Sequence, residues 1–426
     1  MNPGAMMTSY EDAEGRRGDK TKKRLKFIAP LRNERTEATS DHADYLGLEN
    51  IQSWTGKLLP SATSDFSEDD NSASGTANVF YSGDVLFGKL RPYLAKALHA
   101  DKDGVCSTEL LVLRPQPDIH PRFLLYSMLS PDFVSQVDAS TFGAKMPRAN
   151  WEFIGSMKLS IPTYETQRLI ADYLDRETGR IDALVAEKEK MLALLEEKRA
   201  ALISRVVTRG LDESVPRKPS GLEWLGEIPE HWEVERAKNL FTIRDQRSES
   251  GLEELLTVSH ITGVTPRSEK DVYMFQADDK AGYKLCYPGD LVINTLWGWM
   301  GAMGISPLVG IVSPDYHVYT PKGLLLPEFV ELLCRSKPFV AEVNRWSKGV
   351  WSSRLRLYPE NFFEMRLPVP PHEDQQDIIA AVEESQRKTK ELVEVMQQSI
   401  ALAKERRAAL ITAAVTGRIQ VGEMTA

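Results

Sequence analysis

Apolar residues recur at a spacing close to 3.5 residues in two long stretches of the chain, one after Pro162 and one after Pro368. The repeating positions are Ile170, Leu174, Ile181, Val185, Leu192, Leu195, Leu202 and Val206 in the first stretch, and Ile378, Val382, Leu392, Met396, Ala403 and Leu410 in the second. This spacing is typical of a coiled-coil stripe. Because a narrow apolar stripe needs an apolar partner, the pattern predicts two long helices that pair as an antiparallel coiled coil.

The segments before the two prolines have a different pattern. Short apolar or β-branched runs, such as 104–113 and 291–295, are punctuated by Gly, Pro and Asp. This pattern favours strands and turns. The sequence therefore predicts an α+β fold in which each of two domains is followed by a long spacer helix.

The chain also contains a long internal repeat. Three pairs of segments align at a constant spacing of 206 residues: Ser82-Gly83-Asp84 with Pro288-Gly289-Asp290, Gly143 with Gly349, and Lys158–Pro162 with Glu364–Pro368. The spacing then changes by two or three residues, so that Gln167 falls on Gln376. A repeat of this length indicates a duplicated domain with its helix.

These patterns divide the chain into seven segments. They are a mobile leader at 1–22, a first domain at 23–163, a central spacer helix at 164–210, a linker at 211–232, a second domain at 233–372, a distal spacer helix at 373–417 and a tail at 418–426. The first domain is expected to begin near Lys23–Phe27, which aligns with Glu235–Asn239 of the second.

Composition narrows the class of protein. The formal net charge is −8 and the pI is about 5.6, so any contact with nucleic acid must be a local basic patch rather than a general electrostatic attraction. Cys106, Cys286 and Cys334 are far apart and lack CxxC spacing, which supports neither a disulfide framework nor a metal site. No apolar run is long enough for a membrane span or a signal peptide, so we expect a cytoplasmic protein.

Catalytic motifs are not recognisable. An adenine methyltransferase needs an Asn/Asp-Pro-Pro-Tyr-like loop, and the nearest match, Ser313-Pro314-Asp315-Tyr316, lacks the second proline. The glycines of 297–304 lack GxGxxG spacing, and no GxxxxGK[ST] motif occurs. We therefore expect a non-catalytic chain without a cofactor.

Three kinds of segment resemble the specificity subunits (HsdS family) of Type I restriction-modification systems. One is the run Gly221–Val234, which resembles the start of a target-recognition domain in that family. The others are the helix ends Lys198–Ile203 and Arg406–Ile411 and the Pro-Gln junctions at Pro162/Gln167 and Pro368/Gln376. The first repeat lacks the Trp-Leu-Gly-Glu-Ile-Pro sequence of the second.

The resemblance implies a function and a set of partners. Each domain would be a target-recognition domain that reads one half of a bipartite site in double-stranded DNA. The helix pair would set the separation of the half-sites and dock two adenine-methylating subunits. Restriction would require separate motor-nuclease subunits.

Candidate DNA contacts are basic, polar and aromatic residues in corresponding turns of the two repeats. In the first domain they are Lys89, Arg91, Tyr93, Lys145, Arg148 and Asn150, and in the second they are Trp297, Trp299, Lys348, Trp351, Ser352, Ser353 and Arg354. These residues differ between the repeats while the framework agrees, as expected if each domain reads a different sequence.

Two alternatives remain open from the sequence. One is an autonomous DNA-modifying enzyme with an unrecognised catalytic motif, which a methyl-transfer assay on the chain alone would reveal. The other is a coiled-coil scaffold without a role in nucleic-acid binding, which the absence of a bipartite footprint on DNA would favour.

Overall fold

The computed structural model describes residues 9–11, 17–19, 21–38, 45–59, 75–143, 145–269, 279–349 and 355–424. The chain forms two compact units, Met1–Lys188 with Gln397–Ala426, and Glu189–Met396. The division falls within both long helices, so each unit contains one α+β domain and part of each helix.

The first unit is built from short strands and helices. Its strands are β1 (Ser9–Glu11), β2 (Arg17–Asp19), β3 (Thr21–Arg24), β4 (Arg35–Ala38), β5 (Tyr45–Leu46), β6 (Gly75–Phe80), β7 (Val85–Gly88), β8 (Ala97–His99), β9 (Gly104–Cys106), β10 (Leu110–Leu113) and β11 (Lys158–Ile161). Its helices are α1 (Leu25–Ile28), α2 (Pro121–Met128), α3 (Pro131–Ala139), α4 (Trp151–Ser156) and the first part of α5 (Tyr164–Arg209).

The second unit has the same kinds of element. Its strands are β12 (Arg217–Pro219), β13 (Glu227–Pro229), β14 (Glu233–Arg236), β15 (Phe241–Arg244), β16 (Leu256–Ser259), β17 (Gly263–Pro266), β18 (Lys284–Cys286), β19 (Leu291–Ile293), β20 (Met303–Ile305), β21 (Gly310–Val312), β22 (His317–Pro321) and β23 (Arg366–Val369). Its helices are α6 (Ala237–Leu240), α7 (Pro327–Arg335), α8 (Lys337–Trp346), α9 (Pro359–Glu364) and the first part of α10 (His372–Thr416); α11 (Val421–Met424) belongs to the first unit.

Small antiparallel sheets organise both domains. In the first unit the sheet orders are β10-β7-β8, β4-β6-β9-β5 and β11-β3, with β5 parallel to β9. In the second unit they are β15-β22-β19-β20, β18-β21, β16-β17, β14-β23 and β12-β13. The strands β7, β10 and β19 are buried along their whole length, which places the apolar runs seen in the sequence inside each domain.

The start of α5 packs against the end of α10 in the first unit. Ile170 and Leu174 of α5 share a core with Ile411 and Val415 of α10. The helices are also joined by an ion pair in which the Arg407 Nε lies 2.8 Å from the Asp182 Oδ1. The two helices therefore run in opposite directions where they meet in this unit.

The second unit contains the opposite ends of the same helices. Ile203 and Val206 of α5 share a core with Ile378 and Val382 of α10. The fully buried indole of Trp232 belongs to this core and donates from Nε1 to Asp374 Oδ2 at 2.7 Å. The predicted α+β fold with long, antiparallel helices is confirmed, and the linker before the second domain contributes directly to its core.

The structure confirms the repeat but corrects its later register. The strand order from β7 to β10 and the pair α2–α3 recur as β19 to β22 and α7–α8, in agreement with the spacing from Gly83 to Gly143. Strand β11 (Lys158–Ile161) pairs with β3, and β23 (Arg366–Val369) pairs with β14 in the same way. The counterpart of Lys158–Ile161 is therefore Arg366–Val369 and not a strand beginning at Glu364. The expected alignment of Lys158–Pro162 with Glu364–Pro368 is wrong by two residues.

Two glutamines show the same correction at the start of the long helices. Gln167 donates from Nε2 to the carbonyl oxygen of Pro162 at 3.0 Å, and its Oε1 accepts from the His120 N–H at 2.8 Å. Gln375 makes the equivalent bonds, to the Pro370 carbonyl oxygen at 2.8 Å and from the Leu326 N–H at 2.7 Å. Gln375, rather than the expected Gln376, is therefore the counterpart of Gln167.

The start of the first domain agrees with the expected alignment of Lys23–Phe27 with Glu235–Asn239. Strand β3 pairs with β11 and leads into α1, as β14 pairs with β23 and leads into α6. Thr21 and Lys22, which the sequence assigns to a mobile leader, already belong to β3. The ribbon formed by β1 and β2 also lies within that predicted leader.

Candidate nucleic-acid interface

In the first domain a short hairpin lies beside the end of β7. Phe142 and Arg148 are joined by two backbone hydrogen bonds, of 3.1 and 3.0 Å, which close a loop over 143–147. The Arg91 N–H donates to the Pro147 carbonyl oxygen at 2.8 Å. The Ala149 N–H donates to the Lys89 carbonyl oxygen at 2.9 Å. These bonds bring together the turn that contains Lys89, Arg91 and Tyr93 and the loop that contains Lys145.

Arg148 occupies the base of this hairpin. Its Nε lies 3.2 Å from Glu109 Oε2, and its Nη2 lies 3.2 Å from Glu109 Oε1. Both side chains are partly buried, so the pair retains more of its Coulomb attraction than one fully in water. Arg148 thus connects the hairpin to the turn before β10 and positions the neighbouring basic residues.

Arg91 has an unusual backbone conformation. Its φ of 49° and ψ of 62° place it in the left-handed region, immediately before a 3-10 turn at Pro92–Leu94. Non-glycine residues in this region cost free energy, and such strain often accompanies a functional constraint. Tyr93 in the same turn is 46% exposed, and Lys145 across from it is also exposed. The turn therefore presents a cationic and an aromatic side chain on a fixed backbone.

Asn150 has a structural role in the described chain. It is the N-cap of α4, and its Oδ1 accepts a hydrogen bond from the Phe153 N–H at 2.8 Å. A side-chain oxygen at this position satisfies a backbone N–H that the helix itself leaves without a partner. Capping thus occupies the carbonyl oxygen of this predicted DNA contact.

In the second domain the equivalent turn carries two tryptophans. Trp297 and Trp299 flank Gly298 in a 3-10 turn that ends at Met300, and their rings are inclined by only 21° with centroids 6.5 Å apart. The indole Nε1 of Trp299 donates to the Leu296 carbonyl oxygen at 3.1 Å. Trp297 is 51% exposed. This turn occupies the position of Arg91 and Tyr93 but presents a mainly apolar surface.

The second hairpin is closed by Lys348 and Arg356. Reciprocal backbone hydrogen bonds of 2.9 Å join these residues, as bonds join Phe142 and Arg148 in the first domain. Arg356 is therefore the counterpart of Arg148, and the loop between the bridged residues is two residues longer than in the first domain. The predicted contacts Trp351, Ser352, Ser353 and Arg354 lie in this loop, outside the described residues.

Three residues at these two sites were not predicted as contacts. Phe142 and Met146 are 61% and 49% exposed beside Lys145, and Arg356 is an exposed cation at the base of the second hairpin. The repeat could have predicted Arg356, because Arg356 aligns with Arg148 when the two additional residues of the second hairpin loop are included in the alignment. The exposure of Phe142 follows from the hairpin and has no sequence pattern of its own.

A buried polar network positions the tryptophan turn. Asn294 donates from Nδ2 to the Tyr316 hydroxyl at 2.8 Å and accepts at Oδ1 from the Leu296 N–H at 3.1 Å. Burial raises the pKa of Tyr316, so its phenol remains protonated at neutral pH. The Thr295 hydroxyl donates to the carbonyl oxygen of Asp315. The turn is thereby tied to the segment immediately before β22.

Metal-ligating clusters and accessible thiols are both absent from the described residues. No group of three or more His, Cys, Asp or Glu side chains within them could hold a metal ion. The three thiols are buried, and burial raises the pKa of Cys286 to about 11 and that of Cys106 to about 12. Among the described residues, no helix has both the length and the apolar character that crossing a membrane requires.

The fold and the two loop sites define a class: proteins with duplicated α+β domains that present differently surfaced turns. Residues 19–192 match the family model "Type I restriction modification DNA specificity domain". The chain is similar to the specificity subunits of Type I restriction-modification systems (HsdS family), and the family model covers its first domain and the first part of α5.

Individual relatives give the extent of the similarity. The chain is 24% identical over 209 residues to the EcoDI specificity subunit of Escherichia coli, covering 49% of this chain and 44% of that protein. It is 21% identical over 347 residues to the EcoBI specificity subunit of Escherichia coli, covering 73% and 70%. A solved structure described by "complex assembly and conformational transition of the type I R-M system" has a TM-score of 0.66 at 18% identity, covering 93% of this chain and 97% of that one. The match to the first of these relatives spans less than half of its length.

Proposed function

We propose that this chain is the DNA-recognition subunit of a Type I restriction-modification complex and that it reads a bipartite site in double-stranded DNA. One observation carries the proposal. The same turn and hairpin occur in both domains, but the first presents Arg91 and Tyr93 where the second presents Trp297 and Trp299. Two readers with a common framework and different surfaces suit two half-sites of different sequence.

The residues at each turn fit different tasks in recognition. Arg91 can donate two hydrogen bonds to a guanine edge, whereas the exposed Lys145 and Lys348 can neutralise phosphates. The overall charge of −8 makes such local contacts necessary. We also propose that partner subunits supply part of the phosphate neutralisation.

In this proposal the chain has no catalytic role. Two methylase subunits dock on the long helices and perform methyl transfer, and motor-nuclease subunits join through the complex for restriction. The chain needs no cofactor of its own. A methyl-transfer assay tests this division, because activity should require the methylase subunits and should be absent from the purified chain alone.

Methylome sequencing tests the recognition role directly. The chain would be co-expressed with its methylase subunits in cells that lack other adenine methylation. We expect methylation at one bipartite motif, and replacement of residues 1–163 by a related domain should change one half of that motif and preserve the other. Methylation without a two-part motif, or a change in both halves, would contradict the proposal.

A further inference from the structure

The turn between β19 and β20 exposes an unusual amount of apolar surface. Leu296 is 40% exposed, Trp297 51% and Met300 37%, and these three side chains occur within five consecutive residues. Isolated exposed apolar residues are common on proteins, but a contiguous group on one short turn is typical of a binding surface. We call these three residues the apolar turn.

The backbone of the apolar turn is fixed. The Trp297 N–H donates to the Asn294 carbonyl oxygen at 3.2 Å, and the Trp297 carbonyl oxygen accepts from Met300 at 3.0 Å and from Ala302 at 3.1 Å. Gly301 ends the turn with a φ of +89°, and a Cβ at this glycine would lie 3.0 Å from a methyl group of Val340. The apolar side chains are therefore held outward by a rigid support, which reduces the entropy lost when they insert into a partner.

The corresponding turn of the first domain shows that the framework does not require this surface. There, Arg91 occupies the position of Trp297, and Tyr93 occupies that of Trp299. The exposed cations Lys348 and Arg356 stand at the base of the adjacent hairpin in the second domain. This domain therefore combines a projecting apolar turn with exposed cations. A DNA duplex matches both features, because its phosphates are negatively charged and its stacked base pairs are apolar.

We propose that Leu296, Trp297 and Met300 form a wedge that enters a base step of the half-site bound by the second domain and unstacks it. This inference rests on the proposed function. The free-energy cost of unstacking depends on sequence and is smallest at pyrimidine-purine steps such as TA and CA/TG. The second half-site should therefore contain such a step at the wedge, whereas the first domain reads its half-site through the guanidinium of Arg91.

A fluorescent base analogue tests the wedge. The chain in complex with its methylase subunits would be mixed with duplexes of the motif found by methylome sequencing, and the target adenines, which methylases themselves displace, would be left unlabelled. 2-Aminopurine would be placed at successive positions in both half-sites, since its fluorescence rises when it is unstacked. We expect a rise of several-fold at one step of the second half-site, and Trp297→Ala should return the signal to that of the free duplex.

Affinity provides a second measurement. Trp297→Ala should weaken binding by roughly five- to a hundredfold, which corresponds to loss of aromatic contact with a base. Trp297→Arg should remove the fluorescence rise and, if the new cation reaches a phosphate, steepen the dependence of log K on log salt concentration by about 0.9. Leu252→Ala is the matched control, because Leu252 is 88% exposed in the same unit and distant in sequence from the turn.

The outcomes separate the wedge from the proposed function. Thermal unfolding of each variant would verify that it folds like the native chain. Binding with a two-part footprint but without an unstacked step would overturn the wedge and leave the recognition role intact, as would a fluorescence rise that persists in Trp297→Ala. If the native complex methylates no two-part motif, the proposed function itself fails.

Discussion

The guanidinium of Arg32 binds the carboxylate of Asp84 through two hydrogen bonds, with Nε 2.8 Å from Oδ2 and Nη2 3.1 Å from Oδ1. Arg244 and Asp290 repeat this arrangement in the second domain, at 2.7 and 3.1 Å. In both domains the aspartate follows the glycine of the repeated Gly-Asp turn and is almost fully buried. The hydrogen bond to Asp84 raises the pKa of Arg32, as expected for a charge stabilised by its partner.

Replacing this buried aspartate should destabilise the domain that contains it. Asp84→Ala removes both bonds to Arg32 and the acceptor for the Tyr81 N–H, which lies 2.9 Å from Asp84 Oδ2. We expect the free energy of unfolding to fall by about 3 kcal/mol, since a partly buried cation and a backbone donor lose their partner. Chemical denaturation measures the change.

The control for this prediction is the double variant Arg32→Met with Asp84→Ala. Removing both charges should restore part of the lost stability, because no unpaired charge remains. A loss in Asp84→Ala that is no larger than about 0.5 kcal/mol would show that the pair contributes little.

Neighbouring glutamines provide a sharp test of the corrected register. Gln375 is fully buried and makes three hydrogen bonds that join the start of α10 to the segments on either side, whereas Gln376 is exposed. Gln375→Ala should lower the free energy of unfolding by about 2–3 kcal/mol because buried backbone groups lose their partners. Gln376→Ala should change it by less than about 0.5 kcal/mol. Equal effects, measured by denaturation, would refute the assignment.

Much of the fold could be predicted because it depends on regular patterns. The 3.5-residue spacing indicated both long helices, and the Gly-Asp turns identified the repeat. A fixed spacing could not reveal the longer second hairpin loop, because only backbone pairing of Lys348 with Arg356 shows where the loop ends. Gln375 and Gln376 are identical in type, so only burial distinguishes them.

Less of the candidate DNA-binding site than of the fold could be predicted from the sequence. The turns of Arg91 and Trp297 were predicted correctly as corresponding positions, since both follow a recognisable strand. The cap formed by Asn150 could not be separated from a DNA contact, because the same side chain suits both roles. Whether any of these residues contacts DNA stays a prediction.

Arg407 should be a principal support of the first unit. Its side chain is 8% exposed; besides the ion pair with Asp182, it donates to the carbonyl oxygens of Trp54 at 2.6 Å and Thr55 at 3.2 Å. Arg407→Ala should therefore lower the free energy of unfolding by about 3–5 kcal/mol. Arg407→Lys should recover little, because an ammonium group lacks the planar fork that reaches three acceptors.

The adjacent Arg406 is the control for this effect. It is exposed, so Arg406→Ala should have an effect below about 0.5 kcal/mol on the same denaturation curve. If the two alanine variants were equally stable, the network around Arg407 would not support the unit as described.

Arg91→Gly should weaken recognition of one half-site without weakening the fold. Glycine adopts the φ of 49° without strain, so the substitution removes the guanidinium while retaining the backbone of the turn. Loss of a base contact should reduce discrimination at one position of the first half-site by about 1–3 kcal/mol. Competition binding with duplexes altered at each position would measure this change.

Lys348→Ala should act on the second half-site and in a different manner. An exposed lysine that neutralises a phosphate strengthens binding to all sequences alike, so its removal should lower affinity without changing sequence preference. The salt dependence of log K should become shallower by about 0.9. The two substitutions should therefore be distinguishable: Arg91→Gly should relax sequence preference at one position, and Lys348→Ala should leave the preference in both halves of the motif unchanged. A relaxed sequence preference in Lys348→Ala with an unchanged salt dependence would contradict the assignment of this lysine to a phosphate.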